Sequence, residues 1–284
     1  MKILIIGGNR FFGKKLAGLL INQGHELTLL NRGNLDDGFD DKVLRLKCDR
    51  TNEQDLKNAI FGKQWDVVYD QVCFDYRTAK MATEIFNGKT SYYIFTSSQS
   101  VYPAGQNIYE DEFSTENYKL ENEVSGFENY AEAKRQAEYG LWKHSDFLLC
   151  RVRLPIVIGN DDYTNRFNFH VERIKNEQPI YFPNINAKMS FITSDFAAQA
   201  LASFSEKKIE GAINVASPLP ISLNRFVGIL EDRIGKKAIL SSHPHVDQNS
   251  PYGAEEDWFM NCDKLKNSGL VGPSIEKWLP QLLL

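Results

Sequence analysis

Tyr130 and Lys134 stand four residues apart, so on a helix both side chains share one face. There an ammonium group can draw a phenol's pKa from about 10 toward neutrality. A phenol tuned in this way is a usable acid or base near physiological pH. Upstream, Phe95-Thr-Ser-Ser-Gln-Ser-Val-Tyr102 places a cluster of hydroxyls at the end of an apolar run. With that run as a strand and Tyr130 opening the next helix, Ser98 and Tyr130 converge on one substrate oxygen. The Y-x-x-x-K spacing recurs at Tyr139/Lys143 and Tyr76/Lys80. Tyr139 follows Tyr130 by nine residues, about 900° of helical rotation, and so points away from it. Tyr76 precedes the hydroxyl cluster on an earlier helix, and helical packing with solvated lysines accounts for both extra pairs.

A second chemistry is written at the amino end, in Lys2-Ile-Leu-Ile-Ile-Gly-Gly-Asn-Arg-Phe-Phe-Gly13. The apolar run reads as a buried strand, the glycines as a tight turn, and Leu16, Leu19 and Leu20 as the face of a following helix. Unpaired N–H groups at that helix start, with the positive end of its dipole, favour a phosphate. A dinucleotide pyrophosphate is the expected occupant, bordered by Gly7, Asn9, Arg10, Phe12 and Gly13. Gly7 and Gly13 fit a G-x-x-G-x-x-G pattern, but Arg10 stands where the middle glycine would be. Either the backbone withdraws there, or the Arg10 guanidinium turns onto the phosphates.

These groups need a scaffold, and strand-like runs recur at 3–6, 26–30, 43–46, 66–69, 92–95 and 147–151 with helical patterns between most of them. Strands joined by crossover helices predict an α/β fold with a doubly wound parallel (Rossmann) sheet, whose ligands bind beyond the strands' carboxyl ends. That rule selects Asn31 and Arg32, Asp49 and Arg50, Gln71 and Val72, Thr96 to Ser98, and Pro155 and Ile156 as site residues. An acidic residue after the second strand would bind free ribose hydroxyls, whereas an arginine suits the extra phosphate of NADP. Asn31 and Arg32 therefore predict NADP ahead of NAD. Residues 103–128 are polar and acidic with little periodicity and read as a solvated loop, a mobile cover over the site. The expected division is a dinucleotide domain of 1–159 plus about 190–216, and a smaller interleaved substrate lobe of about 160–189 and 217–284.

Composition narrows the partners. The 284 residues are 42% hydrophobic, enough for a sizeable core, and the net charge of −4 offers no general attraction for polyanions. A small-molecule substrate is expected, and neither nucleic acid nor membrane. Cys48, Cys73, Cys150 and Cys262 lack C-x-x-C spacing and read as free thiols of a reducing compartment. The chain enters a strand at once with no leader-like segment, so a cytoplasmic location is expected. His243-Pro-His245 with Asp247 reads as a stiff surface loop, and no metal is assigned.

In order, Ser98-x-x-Val-Tyr102, Tyr130/Lys134, Arg153-x-x-x-x-x-Gly159 and Phe191-Ile-Thr-Ser-Asp195 resemble the extended short-chain dehydrogenase/reductase family, over roughly residues 1–235. The Gly-Gly-Asn-Arg-Phe-Phe-Gly loop with Asn31-Arg-Gly33 resembles an atypical epimerase/dehydratase-like branch that includes chloroplast stem-loop RNA-binding proteins. The resemblance implies that Ser98 polarises a substrate carbonyl or alcohol, Tyr130 transfers its proton, and Lys134 holds the nicotinamide ribose and tunes Tyr130. It places Asp49 at the adenine amino group. It also implies a possible homodimer through the helices carrying Tyr76–Phe86 and Tyr130–Trp142.

Departures from the family pattern are informative. Gln99 and Ser100 follow Ser98 where 4,6-dehydratases carry an Asp-Glu pair, which argues against that reaction. Ile156 and Met189 occupy places where sugar-nucleotide epimerases keep an Asn and an Arg near the diphosphate, which argues against such a substrate. The expectation is an NAD(P)-dependent oxidoreductase or epimerase acting on a small, sugar-like carbonyl or secondary alcohol. The alternative is a non-catalytic dinucleotide-binding regulator or RNA-binding protein on the same fold.

Overall fold

A computed structural model describes residues 1–126 and 128–283. The first part of the chain runs β1 (Lys2–Ile6), α1 (Phe11–Asn22), β2 (Glu26–Asn31), β3 (Leu44–Lys47), α2 (Glu53–Ala59), β4 (Trp65–Asp70), α3 (Tyr76–Phe86) and β5 (Thr90–Ser98). Next come β6 (Gly105–Ile108), α4 (Tyr130–His144), β7 (Leu148–Leu154), β8 (Ile156–Ile158), α5 (Arg166–Lys175), β9 (Pro179–Ile180), β10 (Lys188–Met189), β11 (Phe191–Thr193), α6 (Ser194–Lys207) and β12 (Gly211–Asn214). The remainder forms β13 (Ile221–Ser222), α7 (Leu223–Ile234), β14 (Ile239–Leu240), β15 (Trp258–Met260), α8 (Asp263–Asn267) and α9 (Ile275–Trp278).

Polar caps fix most of the helix starts. Asn52, Asp75, Asn129, Thr193 and Ser222 each accept a hydrogen bond from the backbone N–H three residues on, satisfying a donor the helix leaves unpaired. α5, α8 and α9 lack such a bond, and so does α1. Its cap position is Arg10, which makes no side-chain cap bond, and Phe11 enters the helix at φ 49°, a left-handed conformation unusual for a bulky residue.

The main sheet has the order β12-β7-β5-β4-β1-β2-β3 and all its pairings are parallel. The chain winds outward in both directions from β1 and β4, so the switch point lies between them, where a doubly wound sheet opens a crevice for ligands. One face buries Leu16 and Leu20 of α1 and Ala197, Leu201 and Phe204 of α6 against Ile3, Ile5 and Leu29. The other buries Ala82 and Phe86 of α3 and Ala137 and Leu141 of α4 against Leu4, Val68, Tyr93 and Phe95. A separate core, with Phe167, Ile180, Phe191, Phe226, Tyr252 and Trp278 among its members, fills the smaller lobe.

Two expectations need correction. Residues 103–128 are not a free cover: β6 joins β15 in a second, four-stranded sheet, and Thr115 is fully buried. Phe127, within that segment, lies outside the described residues. Buried Arg153 holds the segment down, donating to the carbonyls of Glu110 (2.7 Å) and Phe113 (3.0 Å), while Arg151 donates to the Thr115 hydroxyl. The same arginines explain why β7 runs to Leu154 rather than ending at 151. Arg153 pairs with fully buried Glu138 of α4 at 2.7 Å, so its charge sits compensated in the strand. The chain beyond 217 is also not confined to the lobe, since Leu265 of α8 packs into the main core and Lys264 Nζ donates to the Ala212 carbonyl at 2.6 Å.

Candidate active site

A cavity of about 310 Å³ opens at the carboxyl ends of β4, β5 and β7, walled on its far side by the smaller lobe. Phe12, Gln71, Thr96, Ser98, Tyr130, Lys134, Pro155 and Ile156, all expected site residues, line it. Ser98 ends β5 and caps a single 3-10 turn, its Oγ accepting from Ser100 N at 3.1 Å and lying 3.2 Å from Ser100 Oγ. Tyr130 is the first residue of α4 and stays largely exposed at the cavity.

Lys134 lies one turn deeper and is buried. Its Nζ donates to the carbonyls of Cys73 (2.7 Å) and Thr96 (3.0 Å), tying the end of β5 to the loop after β4. The ammonium sits 4.7 Å from the Phe95 ring centroid, 4.8 Å from that of Phe74 and 5.9 Å from that of Tyr130, so ring faces and carbonyls replace water around it. Three donors meet two acceptors there, which leaves one N–H for a ligand.

Glu138, one further turn along α4, anchors the same helix. Burial pushes its carboxyl up, but the Arg153 guanidinium, Arg151 and the Ser97 hydroxyl at 2.5 Å hold it below the usual carboxylate range. Arg153 also donates to Tyr102 Oη at 2.6 Å, and Tyr102 in turn donates to Asn214 Oδ1 at 2.7 Å. The Arg153 and Tyr102 positions of the sequence motifs thus build the floor beneath Ser98 rather than touching the cavity.

The other Y-x-x-x-K pairs lie elsewhere. Tyr139 Oη accepts from Lys143 Nζ at 2.8 Å and its ring stacks on Tyr76 across α3 and α4, and neither lines the cavity.

The remaining expected cofactor residues lie outside the cavity lining. Gly7 (φ 96°) and Gly8 (φ 78°) make the turn after β1, and a side chain on Gly8 would strike Ile5 at 2.6 Å. Gly13 faces Gln71, whose Oε1 occupies the place that a Cβ would take. Val72 packs on Gly7, Asn9 is half-buried, and exposed Arg10 holds its guanidinium 5.0 Å from the Tyr163 ring centroid. Asn31 accepts from Gly33 N at 2.8 Å, leaving Arg32 exposed. Asp49 accepts from the Thr51 N–H and hydroxyl, and the hydroxyl bond first of all holds its carboxyl below the usual range. Arg50 is turned inward, paired with buried Asp70, which also accepts from Tyr93 Oη at 2.7 Å. That pairing commits one guanidinium nitrogen, while Nε and Nη1 are buried without partners.

Sequence reasoning passed over Tyr163, Arg166, Ser190 and Trp258, all in the cavity wall. Gln99 was legible only as a departure from the dehydratase pattern. His243 and His245 are exposed, and among the described residues no group of three or more His, Cys, Asp or Glu side chains could hold a metal. The four cysteines are free thiols, and among the described residues no helix is long and apolar enough to cross a membrane.

A seven-stranded parallel sheet with a hydroxyl, a phenol and a buried ammonium at its carboxyl edge defines a Rossmann-type α/β protein of short-chain dehydrogenase architecture. UDP-glucose 4-epimerase from Thermus thermophilus, solved with NAD, superposes with a TM-score of 0.76 at 16% identity, covering 100% of this chain and 98% of that one. UDP-glucose 4-epimerase from Thermotoga maritima, solved with UDP-glucose, gives 0.74 at 16% identity, covering 100% and 97%. Residues 3–216 match the NAD dependent epimerase/dehydratase family, and the chain belongs to that family. A stretch of 116 residues, 36% of this chain, is 36% identical to the chloroplast stem-loop binding protein of 41 kDa b from Arabidopsis thaliana, and the chain spans only 30% of that relative's length.

Proposed function

We propose that the protein is an NAD(P)-dependent oxidoreductase or epimerase acting at a carbonyl or secondary alcohol of a small, sugar-like substrate. The observation that carries this reading is the meeting of Ser98, Tyr130 and Lys134 in one cavity at the carboxyl end of the sheet. The residues present also fit a dinucleotide. Thr96 Oγ1 and Gln71 Nε2 are buried in the cavity wall without partners, and Gln71 lies against the glycine turn. Gly7, Asn9, Arg10, Phe12 and Gly13 would cradle the pyrophosphate. Asn31, Arg32 and Asp49 would border the adenosine, and Gln71, Thr96, Lys134, Pro155 and Ile156 the nicotinamide end.

When bound, the dinucleotide supplies the chemistry of accepting and returning hydride. Ser98 turns its hydroxyl from Ser100 to the substrate oxygen and fixes it beside Tyr130. Tyr130 gives its phenolic proton to a carbonyl being reduced, or takes one from an alcohol being oxidised. Lys134 places a desolvated positive charge beside the phenol and favours its anionic form in the transition state. Among the described residues, no acidic side chain lines the cavity to compete for that proton.

Arg32 after β2, with no acidic residue ending that strand, supports NADP over NAD. Fluorescence titration with NADH and NADPH tests the cofactor, and loss of turnover in Tyr130→Phe tests the chemistry. A second reading, a stem-loop-binding protein, draws on the Arabidopsis relative alone. The net charge of −4 runs against it, and a gel-shift titration with a stem-loop RNA across salt concentrations discriminates the two.

A further inference from the structure

Two unpartnered polar atoms remain in the cavity wall once Gln71 and Thr96 are given to the dinucleotide. One is Gln99 Oε1, a buried acceptor, and the other is Trp258 Nε1, a buried donor. They lie 159 residues apart in sequence and are fastened together, because Gln99 Nε2 donates to the Trp258 carbonyl at 2.8 Å. That bond leaves Oε1 as the free end of the amide. Trp258 is held in turn by β15, which lies between β10 and β6. The pair is therefore a rigid acceptor and donor, and buried polar atoms left without partners point to a ligand that supplies them.

The rest of the wall says what kind of ligand. Ile156, Met189, Phe74 and Leu154 are apolar, and among the described residues the lining cations are Lys134 and Arg166. Lys134 is committed to two carbonyls, and Arg166 donates from Nε to Thr164 Oγ1 at 3.0 Å. Against the apolar part of the wall a charged group would lose its water at a cost that an uncharged sugar avoids. The volume of about 310 Å³ is also at the small end of ligand pockets.

We infer that the substrate is a small, uncharged polyhydroxylated carbonyl compound or its alcohol, of the free-sugar class, with one hydroxyl donating to Gln99 Oε1 and one oxygen accepting from Trp258 Nε1. Gln99 and Trp258 are then the specificity residues, and the substrate carries no nucleoside diphosphate. This inference rests on the enzymatic reading above. Sites built to bond a hydroxyl reject compounds that cannot supply one far more strongly than apolar pockets reject a misfit.

The test is ligand-observed NMR on the NADPH-loaded protein with D-glucose, D-xylose, glucuronate, glucose 1-phosphate and UDP-glucose as probes, followed by the Trp258→Phe and Gln99→Met variants. A free sugar should bind more tightly than any of the charged compounds. Trp258→Phe keeps an aromatic ring and removes the N–H, so it should weaken that sugar by about tenfold with NADPH affinity unchanged. Gln99→Met should do the same, and thermal melting of each variant checks that it is folded. Tighter binding of UDP-glucose, glucose 1-phosphate or glucuronate overturns the substrate assignment, as does a failure of every free sugar to bind. Unchanged sugar affinity in both folded variants overturns it equally. A protein that binds neither NADH nor NADPH instead overturns the enzymatic reading, and the assignment with it.

Discussion

The guanidinium of Arg10, in the turn after β1, lies 5.0 Å from the ring centroid of Tyr163, in the loop between β8 and α5. The residue that breaks the glycine pattern is thus parked on an exposed aromatic ring across the cavity. Such a contact contributes only about 0.5–1 kcal/mol at an exposed site, less than charge-assisted bonds to phosphate, at about 1.5–3 kcal/mol each. Arg10 should therefore leave Tyr163 for a bound dinucleotide. Arg10→Gly is expected to weaken NADPH binding about tenfold, whereas Tyr163→Leu should tighten it about two- to fivefold by releasing Arg10. Equal shifts of the same sign in fluorescence titrations would show that Arg10 only props the Tyr163 loop.

Tyr130→Phe retains the ring beside Lys134 and removes the transferable proton. Turnover should fall about 10²-fold or more with cofactor affinity little changed, while Tyr139→Phe, which loses only the bond from Lys143 outside the cavity, should be nearly silent. Equal activity in the two variants would mean that the wrong helical face had been chosen.

Arg32 is exposed after β2, where a cofactor's adenosine end would pass. Arg32→Asp replaces a cation suited to a 2′-phosphate with an anion that repels it and accepts from ribose hydroxyls. The ratio of NADPH to NADH affinity should fall, and an unchanged ratio would place Arg32 outside the adenosine site.

Arg153→Leu strands the buried Glu138 carboxylate and frees the backbone at Glu110 and Phe113. Breaking a buried pair from one side costs about 3–5 kcal/mol, and urea unfolding should report a loss of that size. A loss near zero would mean that Glu138 takes up a proton or water at little cost.

Burial pushes the His170 imidazole down to about 4, from 6.5. The folded state then resists the proton that the unfolded chain accepts. The stabilisation is complete above pH 6.5 and drains away as pH falls toward 4, by about 3 kcal/mol in all. His170→Asn should flatten that part of the urea-derived stability profile, and an identical slope in variant and parent would locate the acid sensitivity elsewhere.

The strand-helix alternation, the glycine turn and the shared helical face of Tyr130 and Lys134 were legible because each depends on neighbours close in sequence, and Ser98 joined that pair through the order of the elements. The walls of the site were not. Trp258 is distinguished by nothing within its own segment, which has neither periodicity nor motif, and it meets Gln99 only because β15 closes a second sheet. Arg151 and Arg153 read as a strand's end because their partner Glu138 lies on another element. Arg50 looked like a ligand-facing residue for the converse reason, since the sequence does not reveal that Asp70 and Tyr93 turn it inward.

Trp258 pairs with Gly105 on one side and Met189 on the other. Every strand of the main sheet, by contrast, has been made by Asn214. During synthesis the main sheet can therefore complete its hydrogen-bonding pattern well before the four-stranded sheet exists. The late strand must thread between segments already in place, a non-local closure of the kind that slows folding. A protein caught at that stage would have its main sheet made but its cavity open where Trp258 should close the wall, and its last-made strand would decide when the proposed chemistry begins.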